Sequence, residues 1–150
     1  GDYAVVSQQW SNGTMADAGA VTLGDGDAGT VGLVAATNSV IGSSVGDRVG
    51  VAEALAGGGV IVVSREWDNG SVVDGGAITI WNEVTATTAV GPIQRGASVV
   101  GIASGGGPGL VYAVDESRGW VVVGRPKDNT VTVWRVGNPI TTLYLPSLRK

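Results

Sequence analysis

The chain contains no cysteine, no histidine and no phenylalanine among its 150 residues. Without cysteine it has no disulfide, no thiolate nucleophile and no cysteine-ligated zinc or iron–sulfur site. Without histidine it lacks the Ser-His-Asp type of hydrolytic site, imidazole acid–base chemistry near neutral pH and histidine-bound metals. Any catalysis would have to use carboxylates, hydroxyls, tyrosine, lysine or arginine, and we expect the protein not to be an enzyme.

Charge is also scarce. Charged residues make up 15% of the chain, and nine basic residues against thirteen acidic ones give a net charge of −4. Lysine occurs only at positions 127 and 150, and no basic cluster is present, so we expect no nucleic-acid partner. The longest aliphatic runs, such as residues 60–63, are far shorter than the roughly 20 residues of a membrane-spanning helix. The sequence therefore predicts no such span.

The residues that are abundant indicate a β protein displayed outside the cell. The chain has 26 glycines, together with many valines, serines, threonines and alanines. This composition with so little lysine favours an extracellular or cell-surface location. Because the chain begins at Gly1 and not at methionine, we expect a processed or excised product.

A repeat dominates the sequence. Residues 3–23 align with residues 60–80, and ten of the 21 aligned positions are identical. The match continues after a two-residue insertion, where Val31-Gly32 aligns with Val90-Gly91 and residues 39–42 align with residues 98–101. Such internal similarity is the signature of repeat architectures.

A third, eroded copy follows. Residues 120–125 align with residues 60–65, Asp128-Asn129 with Asp68-Asn69, and residues 132–134 with residues 79–81. The copies divide one repeat domain into units of roughly 1–46, 47–107 and 108–150. Short Val-, Ile- and Thr-rich runs separated by glycine or Asn-Gly predict strands throughout. We place them near residues 3–9, 19–24, 30–35, 39–42, 48–55, 60–66, 76–81, 88–93, 97–102, 109–114, 120–125, 130–136 and 140–145.

Three motifs resemble a known repeat. They are the run GDRVGVAEAL at residues 46–55, the apolar strand at residues 60–63, and the runs DGGAITI and DAGAVTL at residues 74–80 and 17–23. Together they resemble the FG-GAP repeat, which builds the blades of integrin-α-type β-propellers. The segment from residue 38 to residue 50 is also similar to tandem repeats of large secreted bacterial surface proteins. The resemblance implies an all-β fold of about three propeller-like four-stranded units, with a β-trefoil or a β-prism as the alternative.

The resemblance does not extend to the calcium site of that family. Its calcium-binding members carry a DxDxDG-like loop between the first two strands of a blade. The corresponding loops here, residues 56–59 and 115–119, do not supply three spaced oxygen ligands, so we expect no cofactor. The most calcium-like fragment lies elsewhere, where Asp25 and Asp27 stand in a glycine-rich turn; the alternative for both is a solvated turn.

Two pairs of repeated residues are candidates for ligand binding. Trp10 and Trp67 occupy equivalent positions at strand ends before Asn-Gly, where an aromatic ring could stack on a sugar; the alternative is a packing residue repeated with its unit. Asp17 and Asp74 are also equivalent, and each precedes a loop glycine or alanine. They could accept hydrogen bonds from a ligand at the loop rim, although aspartates in such places commonly bond the amides of their own turn.

Three units are fewer than the 4–8 blades with which propellers close. They would leave open strand edges and two half-covered apolar faces, and repeat units do not bury such faces alone. We therefore expect a non-enzymatic structural or adhesive module that associates with itself, as a homo-oligomer or filament, or with the remainder of a larger parent protein. The alternatives are a carbohydrate-binding lectin that uses the loop-proximal tryptophans and a fragment of a carboxylate-based enzyme.

Overall fold

The computed structural model describes residues 2–55, 58–82, 89–135 and 138–144, the last of these for the backbone alone. The strands within these ranges are β1 (Tyr3–Ser7), β2 (Ala20–Gly24), β3 (Ser39–Ile41), β4 (Val51–Ala54), β5 (Val60–Ser64), β6 (Ala77–Trp81), β7 (Gly91–Pro92), β8 (Ser98–Val100), β9 (Val111–Asp115), β10 (Trp120–Arg125), β11 (Thr130–Arg135) and β12 (Asn138–Tyr144). Two short 3₁₀ helices, Gly107–Gly109 and Pro126–Asp128, connect strands. No helix among the described residues is long and apolar enough to cross a membrane.

The protein is all-β, and its strands form three open sheets. The first sheet has the order β1-β2-β3-β7, the second β4-β5-β6-β8 and the third β9-β10-β11-β12. Neighbouring strands pair antiparallel, except that β7 lies parallel to β3. The strand β7 follows β6 in the chain, yet it joins the first sheet and not the second. The second repeat unit therefore contributes one strand to the sheet of the first.

Most predicted strands are present, but one is not. Residues 30–35 were expected to form a strand, and the structure shows only a bend at Gly32 there. The run predicted at residues 88–93 forms the two-residue strand β7, with residue 88 outside the described ranges. Alternating β-branched residues predict the tendency to extend, but a strand also needs a neighbouring edge to pair with. Residues 30–35 have no such edge within the described part of the chain.

The predicted alignment of the third copy is wrong by one residue in β10. Trp134 pairs with Val121, just as Trp81 pairs with Val60. Val121 is therefore the counterpart of Val60, a position that the sequence alignment had assigned to Trp120. The three-valine run at residues 121–123 fits either register, so residue identity alone could not decide. The alignment of residues 132–134 with residues 79–81 agrees with the strand pairing.

Two apolar cores hold the sheets together, and the second sheet lies between them. The first core joins the first sheet to the second; its buried residues are Val21, Val40, Val49, Val60, Val62, Trp67, Ala77, Ile93 and Val100. The second core joins the second sheet to the third; its buried residues are Ile61, Val63, Ile78, Ile80, Val99, Leu110, Val121, Val123 and Trp134. Successive side chains of a strand point to opposite faces, so β5 supplies alternate residues to the two cores. All five residues of β5 are buried as a result.

The repeat also reproduces the junctions between sheets. In each of the first two units, the long loop after the first aligned strand folds back onto the segment that leads to the next sheet. The amide of Gly42 donates to the carbonyl oxygen of Gly19 at 3.0 Å, and Gly101 donates to Gly76 at 2.8 Å. Equivalent bonds at both junctions show that the chain passes from sheet to sheet in one repeated way.

Close backbone contact makes glycine necessary at these junctions. A Cβ atom on Gly42 would lie 2.1 Å from the carbonyl oxygen of Ala18, and one on Gly101 would lie 1.9 Å from that of Gly75. Neither contact can be relieved by rotating a side chain, because the obstructing atom belongs to the backbone. The glycines therefore allow the hairpin loop to pack directly on the junction.

We predict that Gly101→Ala lowers the free energy of unfolding by about 3 kcal/mol or more, at the upper end of overpacking costs. Gly96→Ala is the matched control, because a Cβ there meets no atom within 4 Å. Denaturant unfolding of both variants measures the difference. A Gly101→Ala protein as stable as the Gly96→Ala protein would contradict the close packing of this junction.

A hydrogen bond joins the second and third sheets at their first strands. The hydroxyl of Tyr112, on β9, donates to Oε2 of Glu53, on β4. This bond to the Glu53 carboxylate raises the pKa of Tyr112, and burial adds to the same direction. A tyrosine whose pKa is raised in the folded state contributes stability below its ordinary value, and that contribution disappears as the pH rises through the raised value.

We predict that Tyr112→Phe lowers the free energy of unfolding by less than about 1 kcal/mol at neutral pH, because both partners are partly exposed. The difference between the two proteins should shrink as the pH rises above about 10, where the wild-type tyrosine ionises. Unfolding titrations at neutral and alkaline pH measure it. A difference that grows with pH would contradict the assigned bond.

Candidate functional site

The two tryptophans predicted to bind sugar lie in different surroundings. Trp67 is 5% exposed and belongs to the core between the first and second sheets, whereas Trp10 is half-buried. The carbonyl oxygens of both accept an amide from the end of the following loop, Gly19 for Trp10 and Gly76 for Trp67, each at 2.9 Å. Trp67 offers no free face to a sugar ring. The repeated position thus closes the loop through its backbone, and at Trp67 it fills the core.

The repeated aspartates shape the loops. Asp17 and Asp74 adopt left-handed backbone conformations, with φ of 52° and 48°. Their carbonyl oxygens accept the amides of Arg48 at 3.0 Å and Gly107 at 2.8 Å, on the segments that lead to the next sheets. Asparagine and aspartate tolerate this conformation better than most residues. Both aspartates therefore belong to the junctions described above.

Asp25, one of the two candidate metal ligands, stabilises the turn that contains both of them. Oδ1 of Asp25 accepts the amides of Asp27 at 2.8 Å and Ala28 at 2.9 Å. The amide of Ala28, and then that of Asp27, lowers the pKa of Asp25. Within the described residues, no three acidic side chains approach one another closely enough to hold a metal ion. One oxygen of Asp25 is thus already occupied by its own backbone.

Asp25 and Asp27 line a cleft of about 700 Å³ together with Trp81, which was not among the predicted site residues. Its lining residues are Asp2, Leu23, Gly24, Asp25, Asp27, Thr30, Thr37, Asn38, Trp81 and Val90. Several polar groups that line the cleft form hydrogen bonds with the backbone of the β2–β3 loop. Asn38 binds the amide of Ala35 and the carbonyl oxygen of Leu33, both at 3.0 Å. The cleft walls are therefore held by bonds within the β2–β3 loop and by bonds from this loop to the start of the chain, where Asp2 accepts the amide of Gly26 at 3.3 Å and Tyr3 accepts that of Thr30 at 3.1 Å.

The adjacent acidic pair at residues 115 and 116 gives no catalytic dyad. The carboxylate of Asp115 accepts the hydroxyl of Ser117 at 2.6 Å and the guanidinium of Arg118 at 2.7 Å. These bonds, that of Ser117 first, lower the pKa of Asp115. A glycosidase needs two carboxyl groups facing each other across a cleft. The Asp115 carboxylate instead stabilises the β9–β10 turn.

A buried carboxylate with three backbone amides around it, Asp47, was not among the site residues predicted from the sequence. Asp47 is 1% exposed at the first junction. Its Oδ2 accepts the amides of Ser43 at 2.7 Å and Ser44 at 2.8 Å, and its Oδ1 accepts that of Asp68 at 3.0 Å. Burial raises the pKa of Asp47, and the three amides oppose this change. Asp47 therefore connects the loop after β3 to the β5–β6 loop.

At the second junction, a different carboxylate accepts the equivalent backbone amide. Gly106 stands where the first junction has Asp47, so it supplies no carboxylate. Instead, Oδ2 of Asp128 accepts the amide of Ile102 at 3.0 Å. The same oxygen lies 3.4 Å from Nη1 of Arg125, which also donates to the carbonyl oxygen of Val100 at 2.6 Å. The two carboxylates stand at different positions in the repeat: the sequence alignment paired Asp128 with Asp68, and it placed Gly106 opposite Asp47.

The most extensive unexplained feature is the outer face of the first sheet. Val5 is 49% exposed and Tyr3 is 41% exposed, whereas their repeat counterparts Val62 and Val60 are 0% and 6% exposed in the second sheet. The counterparts are buried because the first sheet covers them. Within the described residues no sheet covers Tyr3 and Val5, although the hydroxyl of Tyr3 accepts the amide of Thr30 at 3.1 Å. We call the exposed surface that includes Tyr3 and Val5 the leading face.

Among the described residues, the third sheet also has a face that no further sheet covers. Its half-buried Val122, Val131 and Val133 point away from the second sheet. By strand register, Val122 and Val133 are the counterparts of Ile61 and Ile80, which are fully buried in the second core. We call this surface the trailing face. The three-sheet stack thus ends in two apolar faces of different types.

We predict that Asp47→Asn lowers the free energy of unfolding by about 1–3 kcal/mol, because the new amide NH₂ must face at least one buried N–H donor. Glu66→Gln is the control. Glu66 contacts Arg48 at 3.2 Å, both side chains are about half exposed, and its loss should cost less than about 1 kcal/mol. Equal stability of the two variants would contradict the role assigned to Asp47.

The comparisons with known proteins bear on the repeat itself. A comparison with curated proteins found no match, and a comparison with solved structures found none. A family described as a repeat of unknown function, DUF5650, matches residues 1–51 and 54–108. The two matched segments cover the greater part of the chain and follow the two clearer copies seen in the sequence. The chain belongs to the DUF5650 repeat family.

Proposed function

We propose that this protein is a structural module that associates with further copies of itself, head to tail, through its leading and trailing faces. The observation that carries the proposal is the exposure of Val5, which is 49%, against 0% for its repeat counterpart Val62. The repeat position of Val5 is buried in the second sheet, where a neighbouring sheet covers it, and exposed in the first sheet, where no described sheet does. A further sheet from another copy would bury it.

The leading and trailing faces correspond to two surfaces that already pack against neighbouring sheets within the chain. The trailing face corresponds to the surface that the second sheet presents to the third, and the leading face corresponds to the surface that the second sheet presents to the first. A trailing face placed on the leading face of another copy would therefore repeat the packing found twice within the chain. Such an interface joins different surfaces, so it generates either a closed ring or an open filament.

The edge of the first sheet supports the same proposal. In the second and third sheets, β4 and β9 flank β5 and β10. Within the described residues, β1 has no such neighbour on its outer side. An unpaired edge with exposed apolar side chains favours pairing with another chain, and lysine, which commonly protects such edges, is nearly absent from this sequence.

The proposal includes a propeller-like arrangement of the sheets and a place in a secreted or cell-surface assembly. The stack of three four-stranded sheets with repeated junctions supports the first part. The low content of charged residues supports the second. A non-enzymatic role is supported by the chemistry of the acidic groups, since Asp25, Asp47 and Asp115 each bond backbone or side-chain donors of their own loops.

We predict that the wild-type chain forms assemblies larger than a monomer at micromolar concentration, and that Val5→Lys weakens this association at least about tenfold. Burying a lysine ammonium in an apolar interface carries a large desolvation cost. Val73→Lys is the matched control, because Val73 is similarly exposed, at 54%, but lies in a hairpin loop. Sedimentation velocity over a concentration series measures both effects.

A wild-type chain that sediments as a monomer throughout the series would contradict the proposal. Equal weakening by Val5→Lys and Val73→Lys would also contradict it, because the effect would then follow added charge and not the leading face. Circular dichroism and thermal unfolding establish that both variants keep the fold.

A further inference from the structure

The strand β7 joins two neighbouring sheets, and we call the segment that contains it, residues 90–93, the clip. It comes from the second repeat unit, yet it pairs in parallel with β3, with Gly91 opposite Val40 and Pro92 opposite Ile41. The next residue, Ile93, donates its amide to the carbonyl oxygen of Ile41 at 3.4 Å. The side chain of Ile93 is 6% exposed and belongs to the core between the first two sheets. The clip thus ties the second unit to the outer edge of the sheet before it.

The first unit contains the counterpart of this clip. Val31-Gly32 aligns with Val90-Gly91, so Leu33 corresponds to Pro92 and Val34 to Ile93. The clip glycines both have positive φ, 133° at Gly32 and 93° at Gly91.

The turns that follow the two segments are the same as well. The amide of Asn38 donates to Ala35 at 3.1 Å, and that of Ala97 donates to Gln94 at 3.2 Å. The backbone of the first unit is therefore shaped like the clip of the second.

The counterpart of the clip in the first unit, residues 31–34, pairs with no strand within the described residues. Val31 is 98% exposed and Leu33 is 88% exposed. Within the described part of the chain, no hydrogen-bond acceptor meets the amide of Val34, whereas the amide of its counterpart Ile93 is bonded. The clip of the second unit pairs with β3, the third strand of the preceding sheet. Residues 31–34 would need an equivalent third strand from a sheet that precedes the first sheet.

We propose that residues 31–34 form a clip that pairs in parallel with the outer edge of β12 in a second copy of this chain. The inference rests on the proposed head-to-tail association and names the contact that fixes its register. By the pairing of β11 with β12, Leu143 and Tyr144 correspond to Val40 and Ile41. Gly32 therefore lies opposite Leu143, Leu33 lies opposite Tyr144, and the amide of Val34 donates to the carbonyl oxygen of Tyr144.

The order of the sheets selects β12 and not β8 as the acceptor. The clip on β3 comes from the sheet that follows the first sheet. The sheet that follows β8 is the third sheet of the same chain, and only two residues separate its β11 from its β12. A second copy can place its first sheet only beyond the third sheet, where β12 is the strand of the β3 type.

A pair of proline substitutions tests the hydrogen bond. Val34→Pro removes the amide that the proposed pairing requires, and it should weaken association at least about tenfold. Leu33→Pro is the matched control, because the working clip already has Pro92 at that position. It should leave the association constant within about twofold of wild type. Equal effects of the two substitutions on sedimentation would overturn the inference.

A photo-crosslinking amino acid at position 33 tests the partner and does not depend on the fold of the proline variants. Intermolecular cross-links to residues 138–144, identified by mass spectrometry, are the expected result. Cross-links to residues 98–100, or assembly without any intermolecular cross-link from position 33, would overturn the clip and leave head-to-tail association standing. A protein that stays monomeric and gives no intermolecular product would overturn both.

Discussion

The structure depends on the alternation of side chains along a β-strand. Because neighbouring residues point to opposite faces, a strand such as β5, with valine or isoleucine at four successive positions, requires an apolar surface on each side of its sheet. The second sheet receives both surfaces from its neighbours. The first and third sheets each receive one from within the described chain. Within the described residues, the same pattern that stabilises the middle of the stack therefore leaves an apolar face without a covering sheet at each end.

The junctions explain how so irregular a repeat keeps one geometry. Glycines at positions 42 and 101 allow the hairpin loops to approach the linkers within a distance that excludes a Cβ atom. The backbone bonds of the two junctions are nearly identical, whereas the carboxylates that support them differ. Asp47 serves the first junction, and Asp128 serves the second. The backbone arrangement is thus the constant part of the repeat, and the polar side chains around it differ between the two junctions.

The sequence was most informative for features that depend on local residue patterns. Short Val-, Ile- and Thr-rich runs separated by glycine or Asn-Gly predicted the strands of all three sheets. A turn role was the alternative considered for Asp17 and Asp74, and the structure shows their carbonyl oxygens accepting amides of the junctions. The sequence was least informative where a residue depends on a partner. Residues 30–35 have the composition of a strand but have no edge to pair with among the described residues. Asp47 accepts an amide from the distant β5–β6 loop, which its own sequence position does not indicate. The run of three valines in β10 left the register open until its pairing with Trp134 resolved it.

The central claim is that the leading face becomes buried against another copy of the chain. Amide hydrogen exchange, followed as protein concentration rises through the micromolar range, tests it most directly. The account predicts that protection in β1 and in β11 increases with concentration while protection in β5 stays constant. Exchange from β1 that remains equally fast at every concentration would contradict it.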